Sequence, residues 1–231
     1  MEITSDLVKE IYRTGVIHDE VGQALPLHSQ ISHELADTLY RTVLNYKPRT
    51  VLEVGMAYGL STLAVLSALR DIGQDGRLIS IDPNQHSEWK GVGVANVERS
   101  GLSGRHQLIE SFDYLVLPKL LSESVKLDFA YIDGWHTFDY VLLDFFFIDK
   151  MLNPGGVVGF NDCGYRAVHK VLRFISSHRK YREIDVGLQP DYAARNPAFS
   201  LIRRFTGRNG ADRYFEKLED WEPSWNYFSY F

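Results

Sequence analysis

Two short polar segments contain the residue types needed for acid–base chemistry or for binding a cation. Asp133 and His136 lie in Tyr131-Ile-Asp-Gly-Trp-His136, at the end of one apolar run, and Asn161-Asp162 ends another. The two carboxylates and the amide oxygen are hard ligands of the kind that Mg²⁺ or another divalent cation accepts. A bound cation would lower the pKa of a hydroxyl group, and a histidine would take up its proton near neutral pH. The candidate catalytic residues are therefore Asp133 and His136, and the candidate metal ligands are Asp133, Asn161 and Asp162.

A structural role for the same residues is the alternative. Asp162 would cap the next helix, Asp133 would anchor a turn with Gly134, and His136 would lie in an exposed loop. These roles need neither a metal nor a reaction, so the sequence leaves both interpretations open.

A second segment, Val51–Thr62, runs from an apolar strand directly into a helical pattern. Gly55 and Gly59 would let the backbone turn tightly and approach a ligand closely. Asp82 ends the next predicted strand, where a carboxylate can bind both hydroxyl groups of a ribose. The segment therefore indicates a nucleoside-containing ligand at the carboxyl edge of a sheet.

Dinucleotide-binding dehydrogenases are the competing class for this segment. They require three glycines spaced G-x-G-x-x-G, but here Ala57 and Leu60 break that spacing. Glu53, just before the turn, would repel a pyrophosphate and yet help to hold the ammonium group of a methionine moiety. The residues favour a methyl donor over a dinucleotide.

The elements that would position these segments alternate along the chain. Mostly apolar runs predict strands at Thr50–Val54, Leu78–Asp82, His106–Ile109, Leu127–Ile132 and Val157–Asn161. Helical patterns follow them at Ser61–Arg70, Glu88–Ser100, Asp113–Leu121, Phe138–Met151 and Tyr165–Ser177. Two further apolar runs, Tyr181–Val186 and Phe199–Phe205, would form a C-terminal antiparallel hairpin. The pattern predicts an α/β fold with a doubly wound, Rossmann-like sheet of seven mostly parallel strands and helices on both faces.

Three regions are expected along the chain. Residues 1–48 would form an N-terminal helical cap or lid, with helices at Asp6–Arg13 and Ser32–Leu44 and the polar stretch His18–Ser32 lining or covering a pocket. Residues 49–205 would form the core, and residues 206–231 an aromatic tail. Such a tail docks on its own domain or on a partner subunit, and we expect a homodimer or a higher homo-oligomer.

Composition narrows the class of protein. At 231 residues, with 45% hydrophobic and 24% charged residues, the chain suits one globular α/β domain. No window reaches the roughly 20 apolar residues of a membrane span, and the first residues lack the apolar core of a secretory signal. The single cysteine, Cys163, excludes an intramolecular disulfide, and Lys and Arg form no dense stripe. We expect a cytoplasmic protein with no nucleic-acid or membrane partner.

The glycine segment resembles a known family. Glu53-x-Gly55-x-x-x-Gly59-x-Ser61, together with Asp82, is similar to the class I methyltransferases, particularly catechol O-methyltransferase and its relatives. The likeness is closer to the small bacterial enzymes of the macrocin O-methyltransferase type, which act on sugars and antibiotics. The resemblance covers about Tyr46–Ser176 and implies S-adenosylmethionine as the cofactor.

The same resemblance implies which residues bind the cofactor. Gly55 and Ser61 would contact its methionine end, Asp82 its ribose, and Glu110 and Ser111 would lie near its adenine. For Glu110, an exposed loop carboxylate is the alternative. The candidate cofactor-binding residues are Glu53, Gly55, Tyr58, Gly59, Ser61, Asp82, Glu110, Ser111 and Asp133.

The catalytic segments resemble those of metal-dependent O-methyltransferases. In these enzymes an acid after the fourth strand and an acid–amide or acid–acid pair after the fifth bind Mg²⁺, and the macrolide-sugar enzymes have a histidine base where His136 stands. The resemblance implies metal-assisted O-methylation of a small molecule, either a sugar, an antibiotic or an aromatic ring. A metal-independent methyltransferase and a non-catalytic S-adenosylmethionine-binding or scaffold protein are the alternatives. Asp133, His136 and Asp162 favour an enzyme, since a scaffold needs none of them.

Overall fold

A computed structural model of the protein describes residues 2–188 and 211–231. Its helices are α1 (Asp6–Thr14), α2 (His33–Tyr46), α3 (Leu60–Ile72), α4 (Val92–Arg99), α5 (Asp113–Ser122), α6 (Phe138–Met151) and α7 (Arg166–His178). Its strands are β1 (Val16–His18), β2 (Ala24–Pro26), β3 (Thr50–Val54), β4 (Arg77–Ile81), β5 (His106–Ile109), β6 (Leu127–Ile132), β7 (Leu152–Phe160), β8 (Tyr181–Ile184) and β9 (Arg213–Lys217). None of the helices in these ranges is long and apolar enough to cross a membrane.

Seven strands form one sheet in the order β5-β4-β3-β6-β7-β9-β8. The strands from β5 to β7 pair in parallel, whereas β9 pairs antiparallel with both β7 and β8. Strands β1 and β2 form a separate antiparallel ribbon. The predicted fold class, a mostly parallel seven-stranded sheet with an antiparallel hairpin at its C-terminal side, is confirmed.

The sheet is covered on both faces because alternate residues of each strand point to opposite sides. In β3, Val51 packs into a core with α1, α2, α3 and α4, while Leu52 and Val54 pack into a second core with α5, α6 and α7. Phe129 and Ala130 of β6 divide between the same two cores. Burial on both faces explains why these strands are nearly continuous apolar runs.

The parallel strands end in line. The paired residues nearest their carboxyl ends are Ile109, Ile81, Val54, Ile132 and Phe160. Neighbouring strands lie about 4.8 Å apart, so the residues that follow these positions form a row along one edge of the sheet. That row consists of Glu110, Asp82, Gly55, Asp133 and Asn161. This edge therefore brings together the glycine segment and the candidate site residues that follow the other strands.

Most predicted elements have nearly the bounds expected of them, and α4 is the main exception among the helices. The pattern predicted a helix over Glu88–Ser100, but α4 begins at Val92. Lys90 and Gly91 both adopt left-handed backbone angles, with φ of 54° and 68°, which a continuous right-handed helix excludes.

The second strand of the C-terminal hairpin differs from the prediction. The partner of β8 is β9, within the predicted tail, and the predicted strand Phe199–Phe205 lies outside the described residues. Strand β9 buries Tyr214 and Phe215 on opposite faces. Lys217 is only 3% exposed because its ammonium donates to the backbone oxygens of Asp149 at 2.6 Å and Leu152 at 2.9 Å. Because charged residues are usually exposed, Lys217 did not indicate a buried strand, and the segment was predicted to belong to the aromatic tail.

The remaining C-terminal residues dock on α7 of the same chain. The Tyr227 hydroxyl donates to the backbone oxygen of Ser177 at 3.1 Å, and the ring of Phe231 lies 5.4 Å from that of Phe174. Trp225 remains 96% exposed. The tail thus contacts its own domain, and the homo-oligomer stays a prediction.

Replacement of Lys217 tests whether β9 is an integral part of the sheet. Lys217→Met should lower the free energy of unfolding by about 2–4 kcal/mol, because two buried carbonyl oxygens and Asp149 lose a donor. Urea denaturation measures the change. Lys119→Met is the matched control: its side chain is 73% exposed, so the effect should stay within about 0.5 kcal/mol. Equal effects of the two substitutions would contradict the assignment of β9.

Candidate active site

A cavity of about 240 Å³ opens along the carboxyl edge of the parallel strands. It is lined by Val54, Gly55, Ala57, Ile81, Asp82, Pro83, Asn84, Glu88, Trp89, Phe112, Asp113, Asp133, Gly134, Trp135 and Tyr140. Residues that follow β3, β4, β5 and β6 all contribute to this lining. The cavity therefore runs across the strands, as ligand sites do in sheets of this type.

The turn after β3 requires glycine because two backbones meet there. Gly55 has a φ of +87°, and a Cβ atom on it would lie 2.2 Å from the backbone oxygen of Asp133. The Asp133 amide in turn donates to the backbone oxygen of Val54 at 2.8 Å. Gly59, with a φ of +79°, precedes α3 and lies close to the backbone of Gly93. The first glycine thus lets the ends of β3 and β6 approach, and the second lets α3 begin against α4.

Asp82 braces this turn from the end of β4. One carboxylate oxygen accepts hydrogen bonds from the amides of Met56 at 3.0 Å and Ala57 at 2.8 Å, and the other accepts from the amide of Asn84 at 2.8 Å. The side chain is 4% exposed and lines the cavity. Its contact with a ribose stays a prediction, whereas its contact with the glycine turn is part of the fold.

Glu53 lies beneath the turn and does not line the cavity. It is fully buried, and its Oε2 accepts hydrogen bonds from the hydroxyls of Thr62 and Ser80, both at 2.7 Å. Burial raises the pKa of Glu53 to about 7. The carboxyl group joins β3, β4 and α3, and its contact with a methionine ammonium stays a prediction.

A second, smaller cavity of about 20 Å³ adjoins the other side of the glycine turn. Tyr58 and Ser61 line it together with Asp133, which lines both cavities. Residues 29–31, within the polar stretch His18–Ser32, also line it, and the Tyr58 hydroxyl lies 2.6 Å from Nε2 of His28. The N-terminal region therefore lies against the site at the position of Asp133.

The adenine contacts predicted at Glu110 and Ser111 lie outside both linings. Glu110 instead pairs with His86, whose backbone amide and Nδ1 lie 2.9 Å and 2.6 Å from its two oxygens. The wall at this end of the large cavity is formed by Phe112 and Asp113, the next residues along the chain. In the sequence, Phe112 and Asp113 are an aromatic residue and an acid shortly after a predicted strand, which is a position typical of ligand contacts. They were missed because the predicted helix begins at Asp113.

His136 lies between two carboxylates. Its Nε2 is 3.6 Å from Oδ1 of Asp133 and 3.6 Å from Oδ2 of Asp162, and its ring centre is 5.5 Å from that of Tyr165. Burial raises the pKa of Asp133 to about 6. Burial lowers the pKa of His136, but the nearby carboxylates of Asp133 and Asp162 outweigh it, so the net shift is upward. The three residues form an acid–base cluster next to the cavity.

Asn161 points into a buried polar cluster below the site. Its Nδ2 donates to Oδ1 of Asp212 at 3.1 Å and to the hydroxyl of Tyr131 at 3.2 Å. Asp212 also accepts from the Tyr131 hydroxyl at 2.6 Å, and burial raises its pKa to about 8. Sequence reasoning missed Asp212 because it precedes β9, far along the chain from the strand ends it joins.

Asp133, Asn161 and Asp162 remain predicted metal ligands. The Asn161 amide nitrogen is held by Asp212 and Tyr131, and Nε2 of His136 stands between the carboxylates of Asp133 and Asp162. Within residues 2–188 and 211–231, no group of three or more His, Cys, Asp or Glu side chains is arranged to hold a metal ion. The residues fit a histidine–carboxylate cluster, and they do not support the predicted Mg²⁺ site.

Replacement of Gly55 tests the close approach of β3 and β6. Gly55→Ala should lower the free energy of unfolding by about 1–3 kcal/mol beyond the strain of its left-handed backbone and should abolish binding of S-adenosylhomocysteine. Gly73→Ala is the control, because Gly73 has a φ of +72° with open space around it and should cost only about 1–2 kcal/mol. Urea denaturation and calorimetry measure both effects. Normal binding by Gly55→Ala would show that the turn does not form the cofactor site.

Comparison with known proteins agrees with this geometry. Residues 52–163 match a family model described as a methyltransferase domain. An uncharacterised protein of Acanthamoeba polyphaga mimivirus is 29% identical over 185 residues, which cover 74% of this chain and 79% of that protein. Caffeoyl-CoA O-methyltransferase of Stellaria longipes is 27% identical over 137 residues, which cover 58% of this chain and 53% of that enzyme. The chain thus spans about half the length of this plant relative.

Solved structures show the same fold. The O-methyltransferase of Bacillus cereus, solved in complex with S-adenosylhomocysteine, superposes with a TM-score of 0.67 at 17% identity, covering 91% of this chain and 90% of that one. Both the Stellaria and the Bacillus proteins are O-methyltransferases. Sequence relatives and fold agree: residues 52–163 form a methyltransferase domain, and the chain has the fold of O-methyltransferases solved in complex with S-adenosylhomocysteine or S-adenosylmethionine.

Proposed function

We propose that this methyltransferase methylates a hydroxyl group of a small molecule and that His136 takes up the hydroxyl proton. The observation that carries the proposal is the position of His136, with Nε2 3.6 Å from both Asp133 and Asp162. Asp133 also lines both cavities, so this acid–base cluster borders the cofactor site. The O-methyltransferase relatives support the same type of reaction.

The carboxylates around His136 make it a suitable base. When the imidazole accepts a proton, the positive charge that results lies next to two negative groups, which stabilise it. The same interactions raise the pKa of His136. Asp133 and Asp162 therefore act through the histidine, and neither has to accept the proton itself.

The row of strand ends would orient the reaction. S-adenosylmethionine supplies an activated methyl group when it is bound, and the acceptor oxygen forms its new bond to that carbon as the sulfur–carbon bond breaks. The glycine turn and Asp133 border the end of the cavity next to His136, so they would hold the reacting groups in line. Holding the two reactants in this alignment lowers the entropic part of the activation free energy, because they no longer have to meet as separate molecules.

The charge of the site favours a neutral acceptor. Among the described residues, the two cavity linings contain Asp82, Glu88, Asp113 and Asp133 but no lysine or arginine. Asp162 adds a further acid beside His136. A negative site repels phosphorylated or CoA-linked acceptors, and it accepts uncharged sugars, antibiotics or phenols. In this respect the acceptor would differ from that named for the caffeoyl-CoA relative.

The proposal assigns no step to a divalent cation. Nε2 of His136 lies 3.6 Å from the carboxylates of both Asp133 and Asp162. Proton removal then depends on His136, which makes its replacement a direct test.

Replacement of His136 should lower kcat strongly. With a neutral hydroxylated acceptor identified from a panel of phenols and sugars, His136→Ala should reduce kcat by about 10²–10⁴-fold, the usual contribution of a positioned base. The Kd for S-adenosylhomocysteine should remain unchanged. His136→Gln keeps the size and polarity but cannot take up the proton usefully, so it should be equally slow. His33→Ala, at an exposed position of α2, is the control and should be fully active. A fast Gln variant would make His136 a structural residue.

Removal of divalent cations distinguishes the two possible mechanisms. Turnover should persist in excess chelator, because the proton goes to His136 and the acceptor needs no metal. Loss of turnover in chelator that Mg²⁺ restores would contradict the proposal and favour the metal-dependent mechanism.

A further inference from the structure

The turn after β3 contains a residue with a strained backbone. Ala57 has a φ of 46°, in the left-handed region that residues with a Cβ atom disfavour, and it lines both cavities of the site. A residue in such a conformation persists only where its surroundings hold it in place, and such residues cluster at ligand sites. The groups that hold Ala57 are therefore candidates for positioning the cofactor.

Two side chains hold Ala57, one at each of its backbone polar groups. The Ala57 amide donates to Oδ2 of Asp82 at 2.8 Å, and the Ala57 carbonyl oxygen accepts from Nε2 of Gln85 at 2.7 Å. The same Nε2 also donates to Oδ2 of Asp82 at 3.2 Å. Gln85 therefore joins the strained residue to the carboxylate that is predicted to bind the ribose.

Gln85 lies behind the turn and outside both cavity linings. It is fully buried, and the orientation of its amide is unambiguous, because Nε2 faces two acceptors that only a donor can satisfy. Its Oε1 has no hydrogen-bond partner among the described groups. Since a buried amide oxygen without a partner is unfavourable, stability alone does not explain a glutamine at this position.

Helix α4 confines the Gln85 amide against the turn. A Cβ atom on Gly93 would lie 2.8 Å from Oε1 of Gln85 and 2.7 Å from the backbone oxygen of Ala57, so only glycine leaves room for both. The Gln85 backbone is fixed as well, because its carbonyl oxygen accepts from the amide of Gly91 at 2.8 Å. Gln85 is therefore a rigid support, of the kind that can hold a binding turn in one conformation.

We propose that Gln85 is a positioning residue for the cofactor, which keeps the Ala57 peptide groups and the Asp82 carboxylate in the conformation that binds S-adenosylmethionine. Without Gln85, Ala57 would relax to right-handed backbone angles in the empty protein. The cofactor would then have to restore the strained turn, and its affinity would fall with the fraction of molecules whose turn is competent to bind. The inference rests on binding of the cofactor at this turn and is independent of the acceptor and of His136.

Replacement of Gln85 and Ala57, singly and together, tests the proposal by calorimetry with S-adenosylhomocysteine. Gln85→Met has nearly the same size but no N–H donor, and it should raise the Kd by about tenfold or more, the scale of one lost hydrogen bond. Ala57→Gly should bind like the wild-type protein, because glycine adopts left-handed angles without steric cost. In the double variant, Ala57→Gly should restore most of the lost affinity, since the turn no longer depends on Gln85. Gln107→Met, at an exposed position of β5, is the matched control and should bind normally.

Restoration by glycine is the result that a merely structural role of Gln85 would not give. An unchanged Kd in Gln85→Met would overturn the proposal, as would a double variant that binds as weakly as Gln85→Met alone. Gln85→Asn, whose amide is one methylene group too short to reach Ala57, takes the place of Gln85→Met in both comparisons if that variant does not fold. Failure of the proposed reaction would show separately, as normal binding of S-adenosylhomocysteine by the wild-type protein without any methylated product.

Discussion

The register of the parallel strands is the constraint on which the rest of the site depends. Ile109, Ile81, Val54, Ile132 and Phe160 pair across the sheet, so five chain segments leave it along the same edge. The chain after β3 turns so close to the end of β6 that a Cβ atom at the residue after Val54 would lie 2.2 Å from the backbone oxygen of Asp133. The glycine there is consequently a condition for forming the cavity, whatever ligand the cavity binds. A shift of one strand by one residue would move the side chains of that strand to the opposite face of the sheet.

This arrangement concentrates carboxyl groups, and the fold stabilises each by a different means. Asp82 accepts hydrogen bonds from the backbone amides of the turn, so its charge stabilises the turn itself. Asp133 and Asp162 lie beside His136, and burial raises the pKa of Asp133 to about 6. The edge therefore has an acid, Asp113, in the cavity wall at one end and a histidine–carboxylate cluster next to the cavity at the other. The carboxyl groups are chemically alike, so the differences in their interactions arise from the residues around each of them.

The sequence predicted the elements and the edge better than it predicted the individual contacts. Strands such as Thr50–Val54 and Leu127–Ile132 were predictable because burial on both faces makes them continuous apolar runs. Strand β9 was missed because Lys217 is buried through bonds to carbonyl oxygens of a distant segment, which composition does not reveal. The environment of Asp212 was missed for the same reason, since it depends on Tyr131 and Asn161, far away in the chain. Local sequence patterns predict where a residue lies in the fold. The packing of remote elements determines the protonation and the hydrogen-bond partners of its side chain.

A crystal structure of the protein with S-adenosylhomocysteine tests the central claim most directly, namely that the cofactor lies across the strand ends with its reacting atom next to His136. We expect the sulfur atom beside Asp133, the ribose beside Asp82 and the adenine against Phe112. A reversed orientation, or binding away from the large cavity, would contradict the account.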